Sequence, residues 1–114
     1  MGINAFTSLG KTVKLVAAVS PPTPVQVPST SLGGNQYRVI NLSNSTACFL
    51  AFSQTAADAT TNCVIPTGDA ANSTVVLPLL PQTDEILSFV PNAYFTARTV
   101  SGTADLYITP GDGL

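Results

Sequence analysis

Apolar residues in this chain recur in short runs that alternate with polar ones, and clusters of Pro, Gly, Ser, Asn and Asp separate the runs. The clearest pattern lies in Ala93 to Leu114, AYFTARTVSGTADLYITPGDGL. From Tyr94 to Val100, the residues Phe95, Ala97 and Thr99 share one face, and Tyr94, Thr96 and Arg98 share the other. Period-two alternation of this kind marks a half-buried strand. Leu106 and Ile108 continue it in a second strand, with Asp105, Tyr107 and Thr109 opposite. The expectation is a hairpin turning at Ser101-Gly102, with Pro110-Gly111 as its stop and no length left for a second domain.

The rest of the chain follows the same logic. Lys11–Ser20 reads as the first strand. Pro21, Pro22, Pro24 and Pro28 then forbid a central strand, so residues 21–34 form an edge segment or an extended loop. Gln36–Leu42 and Ala47–Ser53 predict a second hairpin across Ser43-Asn44-Ser45. Residues 55–62 read as a loop, with one helical turn available at Ala56–Ala59. Cys63–Pro66 is a short extended piece before a turn at Thr67-Gly68-Asp69. Thr74–Leu80 is interrupted by Pro78, which points to an edge or a bulge. Thr83–Val90 adds one more strand. Residues 1–10 (MGINAFTSLG) carry Ile3, Phe6 and Leu9 without a strand period and read as an N-terminal arm. The expected organisation is that arm followed by one all-β domain over residues 11–114, with seven to eight short strands. Turn signals at roughly 8–12-residue spacing suit a sandwich or small barrel, and the strand order is left open. The expected core is Val13, Leu15, Val39, Phe49, Ala51, Val76, Leu87, Phe89, Phe95, Leu106 and Ile108.

Composition sharpens the class. Charged residues make up 9% of the 114 positions, against about 25% in an ordinary soluble domain. Such a surface repels neighbours poorly and suits a protein that packs against copies of itself or a large partner. The only cations are Lys11, Lys14, Arg38 and Arg98, and the net charge is −2. That leaves no electrostatic footprint for nucleic acid and no basis for membrane-surface binding. No run approaches the ~20 apolar residues of a membrane span. The apolar part of Lys11–Ser20 is too short for a signal peptide, and Phe6 breaks the myristoylation pattern that Met1-Gly2 begins. Synthesis in the cytoplasm, without export by a signal sequence, is the expectation.

Candidate chemistry is thin. The chain has no histidine, so a Ser-His-Asp or Cys-His arrangement is out of reach. Asp84 and Glu85 are adjacent and point to opposite faces of a strand, so they do not form a facing carboxylate pair. Asp69 and Asp112 sit in turn sequences, where Asp stabilises its own backbone, and no EF-hand spacing supports calcium. Gly33-Gly34 and Gly111-x-Gly113 lack the helix and lysine of a phosphate loop. No catalytic, cofactor-binding or metal residue is assigned, and the expectation is a protein that is not an enzyme. Cys48 and Cys63 have no zinc-ligand spacing. They read as either a disulfide or two buried thiols, with thiols the better match to cytoplasmic synthesis. Tyr37, Tyr94 and Tyr107 could make a sugar-stacking platform, but with no tryptophan present, core and rim packing is the stronger reading.

Four stretches stand in order along the chain: Phe49-Leu50-Ala51-Phe52, Val64-Ile65-Pro66, Pro91-Asn92-Ala93-Tyr94-Phe95-Thr96-Ala97 and Leu106-Tyr107-Ile108-Thr109-Pro110-Gly111-Asp112-Gly113. Together they resemble small structural proteins of tailed-bacteriophage virions. The likeness covers roughly residues 36–114 and leaves the first third unmatched. It implies a β-sandwich of jelly-roll type acting as a head decoration or cement subunit, with the major capsid protein or other virion proteins as partners. A neck, tail or fibre subunit is the alternative within that class, and a host- or carbohydrate-binding module is the alternative outside it. A homo-oligomer on the capsid surface is expected, with no cofactor. The likeness carries no functional residues across. The residues assigned to contacts come from physical reasoning: Ile3, Phe6 and Leu9 as apolar anchors on the arm, and Pro21, Pro22, Pro24 and Pro28 as a pre-extended segment that is cheap to order against a partner.

Overall fold

Nine strands and one short helix account for the regular structure in a computed structural model that describes residues 6–28, 35–69 and 74–112. The strands are β1 (Thr7–Ser8), β2 (Val13–Ala17), β3 (Val25–Gln26), β4 (Gln36–Asn41), β5 (Cys48–Ser53), β6 (Leu77–Leu79), β7 (Thr83–Ser88), β8 (Tyr94–Arg98) and β9 (Ala104–Asp112). The helix α1 spans Ala56–Asn62 between β5 and β6.

Pairing is nested from the ends of the chain inwards. β2 pairs with β9, β3 with β8, β4 with β7 and β5 with β6, all antiparallel. Two further pairings, β4 with β9 and β5 with β8, close the set into two sheets. The first sheet runs β2-β9-β4-β7, with β1 continuing the edge beside the far end of β9, and the second runs β3-β8-β5-β6. This is a long hairpin rolled up on itself, the wrapping of a jelly-roll sandwich. The chain is therefore an all-β jelly roll.

Because β4 and β5 lie in different sheets, as do β8 and β9, neither expected hairpin forms. Ser43-Asn44-Ser45 carries the chain from β4 in one sheet to β5 in the other. Ser101-Gly102 does the same between β8 and β9, with Gly102 at φ +74°. Turn residues announce a reversal of direction, but not whether the return strand joins the same sheet.

The core lies between the sheets and includes Leu15, Tyr37, Val39, Leu50, Leu79, Phe95, Leu106 and Ile108. The facing of β5 is the reverse of that expected. Cys48 and Leu50 are in the core with Phe52 packed against it, so Phe49 and Ala51 point outward. Ala51 is nevertheless buried, because α1 packs over β5 and β8 on that outer side. Phe49 is only half-buried. Val13, Leu87 and Phe89 pack at the core margin, and Val76 is half-buried outside the strands. Thr55 caps α1, its hydroxyl accepting from the Asp58 amide at 3.2 Å, which turns the expected single turn into a helix of seven residues.

Pro110-Gly111 does not stop the last strand, which continues through both to Asp112. The Pro110 carbonyl accepts from the Leu9 amide at 3.0 Å. Nitrogen and carbonyl of one strand residue point the same way, so the missing N–H of Pro110 faces Leu9, just beyond the last β1–β9 pair, Ser8 with Gly111.

Candidate functional site: the loop end of the sandwich

Four connections meet at one end of the jelly roll, namely residues 18–24, 42–47, 80–82 and 99–103. The register fixes this, since Ala17 faces Ala104, Asn41 faces Thr83 and Cys48 faces Leu79. These connections carry most of the large exposed aliphatic side chains: Val19, Leu42, Leu80 and Val100, the last at 71% exposure. They contain no Asp, Glu, Lys or Arg, so all ten charged residues of the chain lie elsewhere.

A buried amide holds these loops together. Asn41, at the end of β4, is fully buried. Its Nδ2 donates to the Thr46 carbonyl at 3.0 Å and the Leu79 carbonyl at 3.3 Å, and its Oδ1 accepts from the Ser43 amide at 3.0 Å. The same amide group sits 3.9 Å from Cys48 Sγ. One side chain thus ties the β4–β5 loop to the end of β6. Gln82 Nε2 donates to Asn44 Oδ1 at 3.0 Å, and the Gln82 amide donates to the Asn41 carbonyl at 2.8 Å. The Thr99 hydroxyl donates to the Gly102 carbonyl at 2.6 Å and closes the β8–β9 loop. Leu42 is fixed by its backbone N–H, which donates to the Asp105 carbonyl at 3.0 Å. The aliphatic tips therefore stand on a set backbone. Between two of the loops lies a cleft of about 260 Å³ lined by Ser45, Thr46, Ala47, Phe49, Val100 and Ser101.

Arg98 fastens the outer face of the second sheet nearby. Its guanidinium donates to the Val19 carbonyl at 3.1 Å and, more weakly, to the Cys63 carbonyl at 3.4 Å. Cys63 caps the C-terminus of α1 and Cys48 is in the core, and both thiols are free. Burial pushes the Cys48 thiol up to about 12, and the neighbouring Cys63 thiol adds to the rise. Burial also raises Cys63, with Arg98 pulling it partly back. Among the described residues no three of Cys, Asp and Glu come together as a metal-binding group.

Of the residues singled out from sequence, Pro21, Pro22 and Pro24 fall within residues 18–24 at the loop end, and the others do not. Ile3 lies outside the described residues. Phe6 and Leu9 are half-buried against the chain's own β9, and Thr7–Ser8 pairs with Asp112 and Gly111, so this part of the arm is an edge of the sandwich. Pro21, Pro22 and Pro24 are half-buried along the crossing from β2 to β3, where the Thr96 hydroxyl donates to the Pro22 carbonyl at 2.8 Å. Pro28 is exposed. The sugar platform is not assembled. Tyr37 is fully buried, and Tyr94 and Tyr107 stand on different sheets.

No family model and no curated protein matches this chain. Solved structures are similar to it only at a low level. A pilus protein of Bacillus endospore appendages, described as forming disulfide-linked pili, is 10% identical over 99% of this chain and 92% of its own, with a TM-score of 0.41. The Cnp3 cupin domain of Schizosaccharomyces pombe is 13% identical over 94% of this chain and 59% of its own, with a TM-score of 0.41. Hydroxypropylphosphonic acid epoxidase from S. wedmorenis is 9% identical over 87% of this chain and 42% of its own, with a TM-score of 0.40. Likeness at this level assigns no residue and no activity.

Proposed function

We propose that this chain is a non-enzymatic structural subunit of a tailed-phage virion, a decoration or cement protein seated on the capsid surface after synthesis in the host cytoplasm. The observation that carries the reading is the coincidence, at one end of a small sandwich, of exposed aliphatic side chains with four loops that contain no charged residue. Interface centres are depleted of charge, and a domain that otherwise spends its few charges elsewhere presents such a centre at this end. The stretches that resemble virion proteins support the reading in a second way, because their residues have structural rather than chemical duties. Ala93 is buried where the Tyr37 hydroxyl donates to the Val90 carbonyl at 2.6 Å and accepts from the Ala93 amide at 3.1 Å. Pro110-Gly111 pairs alongside the N-terminal edge strand, with the Phe6 ring against Gly111.

Mass-spectrometric counting of the chain in purified particles tests the proposal. Copies in step with the major capsid protein are expected. A few copies at one vertex would make it a neck or tail subunit instead, and absence from particles would remove both readings.

A further inference from the structure

We infer that the free edge of β2 pairs with β2 of a second copy of this chain, antiparallel about a twofold axis at Leu15, joining the first sheets of two molecules into one. The ladder shows which backbone groups of β2 are free. The Leu42 N–H donates to the Asp105 carbonyl, so Asp105 turns its backbone groups towards β4. Alternate residues of an antiparallel ladder turn opposite ways. Leu106 and Ile108 therefore face β2, and their partners Leu15 and Val13 face β9 in return. The N–H and C=O of Lys14 and Val16 point off the sheet, and among the described residues β2 pairs with no strand but β9. The other edges are guarded. β7 carries Asp84 and Glu85, β6 has Pro78 at its centre, and the two residues of β3 lie between Pro24 and Pro28. On β2 the sole charge is Lys14, and its ammonium leans back over the Tyr107 ring of β9, 6.0 Å from the centroid, rather than out over the edge.

Charge selects a second copy as the occupant. Centred on Leu15, the pairing sets Lys14 opposite Val16 of the other copy, and their outward backbone groups bond one another. Centred on Lys14 it would set like charges face to face. Centred on Val16 it would need Ala18, whose carbonyl already accepts from the Thr99 N–H. In the Leu15 register, Asp105 of the other copy lies one strand beyond its own Val16, two strand spacings or about 9.6 Å from Lys14. Lys14 and Asp105 are exposed on the same outer face, and neither has an ion-pair partner among the described residues. The ammonium and carboxylate can meet above Val16, and the twofold axis makes that contact twice. A strand of unrelated sequence would gain the backbone bonds without these charge pairs. The contact belongs to the purified chain and does not depend on the virion reading.

Sedimentation of the full chain over a concentration series up to ~1 mM, with amide hydrogen exchange at both ends of the series, tests it. The expected result is a reversible dimer in which the Lys14 and Val16 amides become protected, whereas the Leu15 amide is protected throughout. Val16→Pro removes an N–H that only the dimer uses and should raise the dissociation constant by about tenfold or more. Lys14→Glu and Asp105→Lys should each weaken the dimer about tenfold, and the two together should return it to within about threefold of the parent. Circular dichroism checks that each variant is folded, and the charge exchange decides the matter should Val16→Pro fail to fold. A wild-type monomer throughout the series overturns the inference and is the outcome expected if the edge serves a strand of another protein. So does a dimer whose Lys14 and Val16 amides stay open, and so does a double variant that binds no tighter than the single ones.

Discussion

The ring of Phe6 occupies the space that a side chain on residue 111 would need: a Cβ built on Gly111 would lie 2.6 Å from Phe6 Cζ and would also press on the Thr7 carbonyl. Glycine at 111 is what allows the N-terminal segment to lie flat on β9. Gly111→Ala should therefore lift β1 and leave the sandwich behind it intact. Overpacking costs about 1–3 kcal/mol, and release of a two-residue edge strand caps the loss at the lower end. Hydrogen exchange reads this directly, through lost protection at the Leu9 amide, which bonds the Pro110 carbonyl. Retained protection there would mean the close approach of Phe6 is not what residue 111 accommodates.

The two phenylalanines expected in the core should respond very differently to truncation. Phe95 is fully buried, edge-on to Tyr37 at 4.9 Å and near Phe52 at 5.8 Å. Phe95→Ala should cost about 3–5 kcal/mol. Phe49 faces outward at the margin of the loop-end cleft, and Phe49→Ala should cost about 1 kcal/mol. Urea melts of the two variants give the comparison, and equal losses would reverse the facing assigned to β5.

Much of this architecture is legible in the residues, and the failures have physical causes. Alternation in β2, β8 and β9 identifies strands and places Leu15, Phe95, Leu106 and Ile108 inside. Alternation says nothing in Ala47-Cys48-Phe49-Leu50-Ala51-Phe52, where both faces are apolar because α1 covers the outer one. The Thr55–Asp58 cap was available as a start signal for that helix. The loop-end site was harder to read. The uncharged loops are visible one by one, but only the nested pairing of strands brings residues 18–24, 42–47, 80–82 and 99–103 to one end. Asn41 gave no signal either, since a polar residue at an inward position looks like a break in the pattern until its partners are known.

Removal of that amide should be costly. Asn41→Ala strips the Thr46 and Leu79 carbonyls and the Ser43 amide of their partner at once. Each buried group left unmade costs about 1–3 kcal/mol, less whatever water recovers. The variant should lose most of the stability of a domain this size, or fold with the β4–β5 loop rearranged. Asn41→Asp adds a buried carboxylate facing two carbonyls. Its stability should be lowest at neutral pH and recover as acid protonates the new side chain. A chemical denaturation series against pH checks both, and a mutant that melts with the parent would remove Asn41 from its organising role.

The thiols make the last prediction. In the folded chain Cys48 is fully buried and its ionisation is pushed from the ordinary 9.0 up to about 12, while Cys63 is also raised. A raised thiol pKa means that the folded state holds its proton where the unfolded chain has released it. The associated stability is complete below about pH 9 and drains away as pH climbs towards 12. Native protein at pH 8 should be silent to a thiol reagent such as DTNB, and both groups should react once urea unfolds it. Cys48→Ala should flatten the alkaline fall in stability between pH 9 and 12, even though the smaller side chain lowers the starting value. The slope, not the absolute stability, is the quantity to compare. Rapid modification of Cys48 in the folded protein would show that the second sheet opens at β5 far more readily than its packing allows.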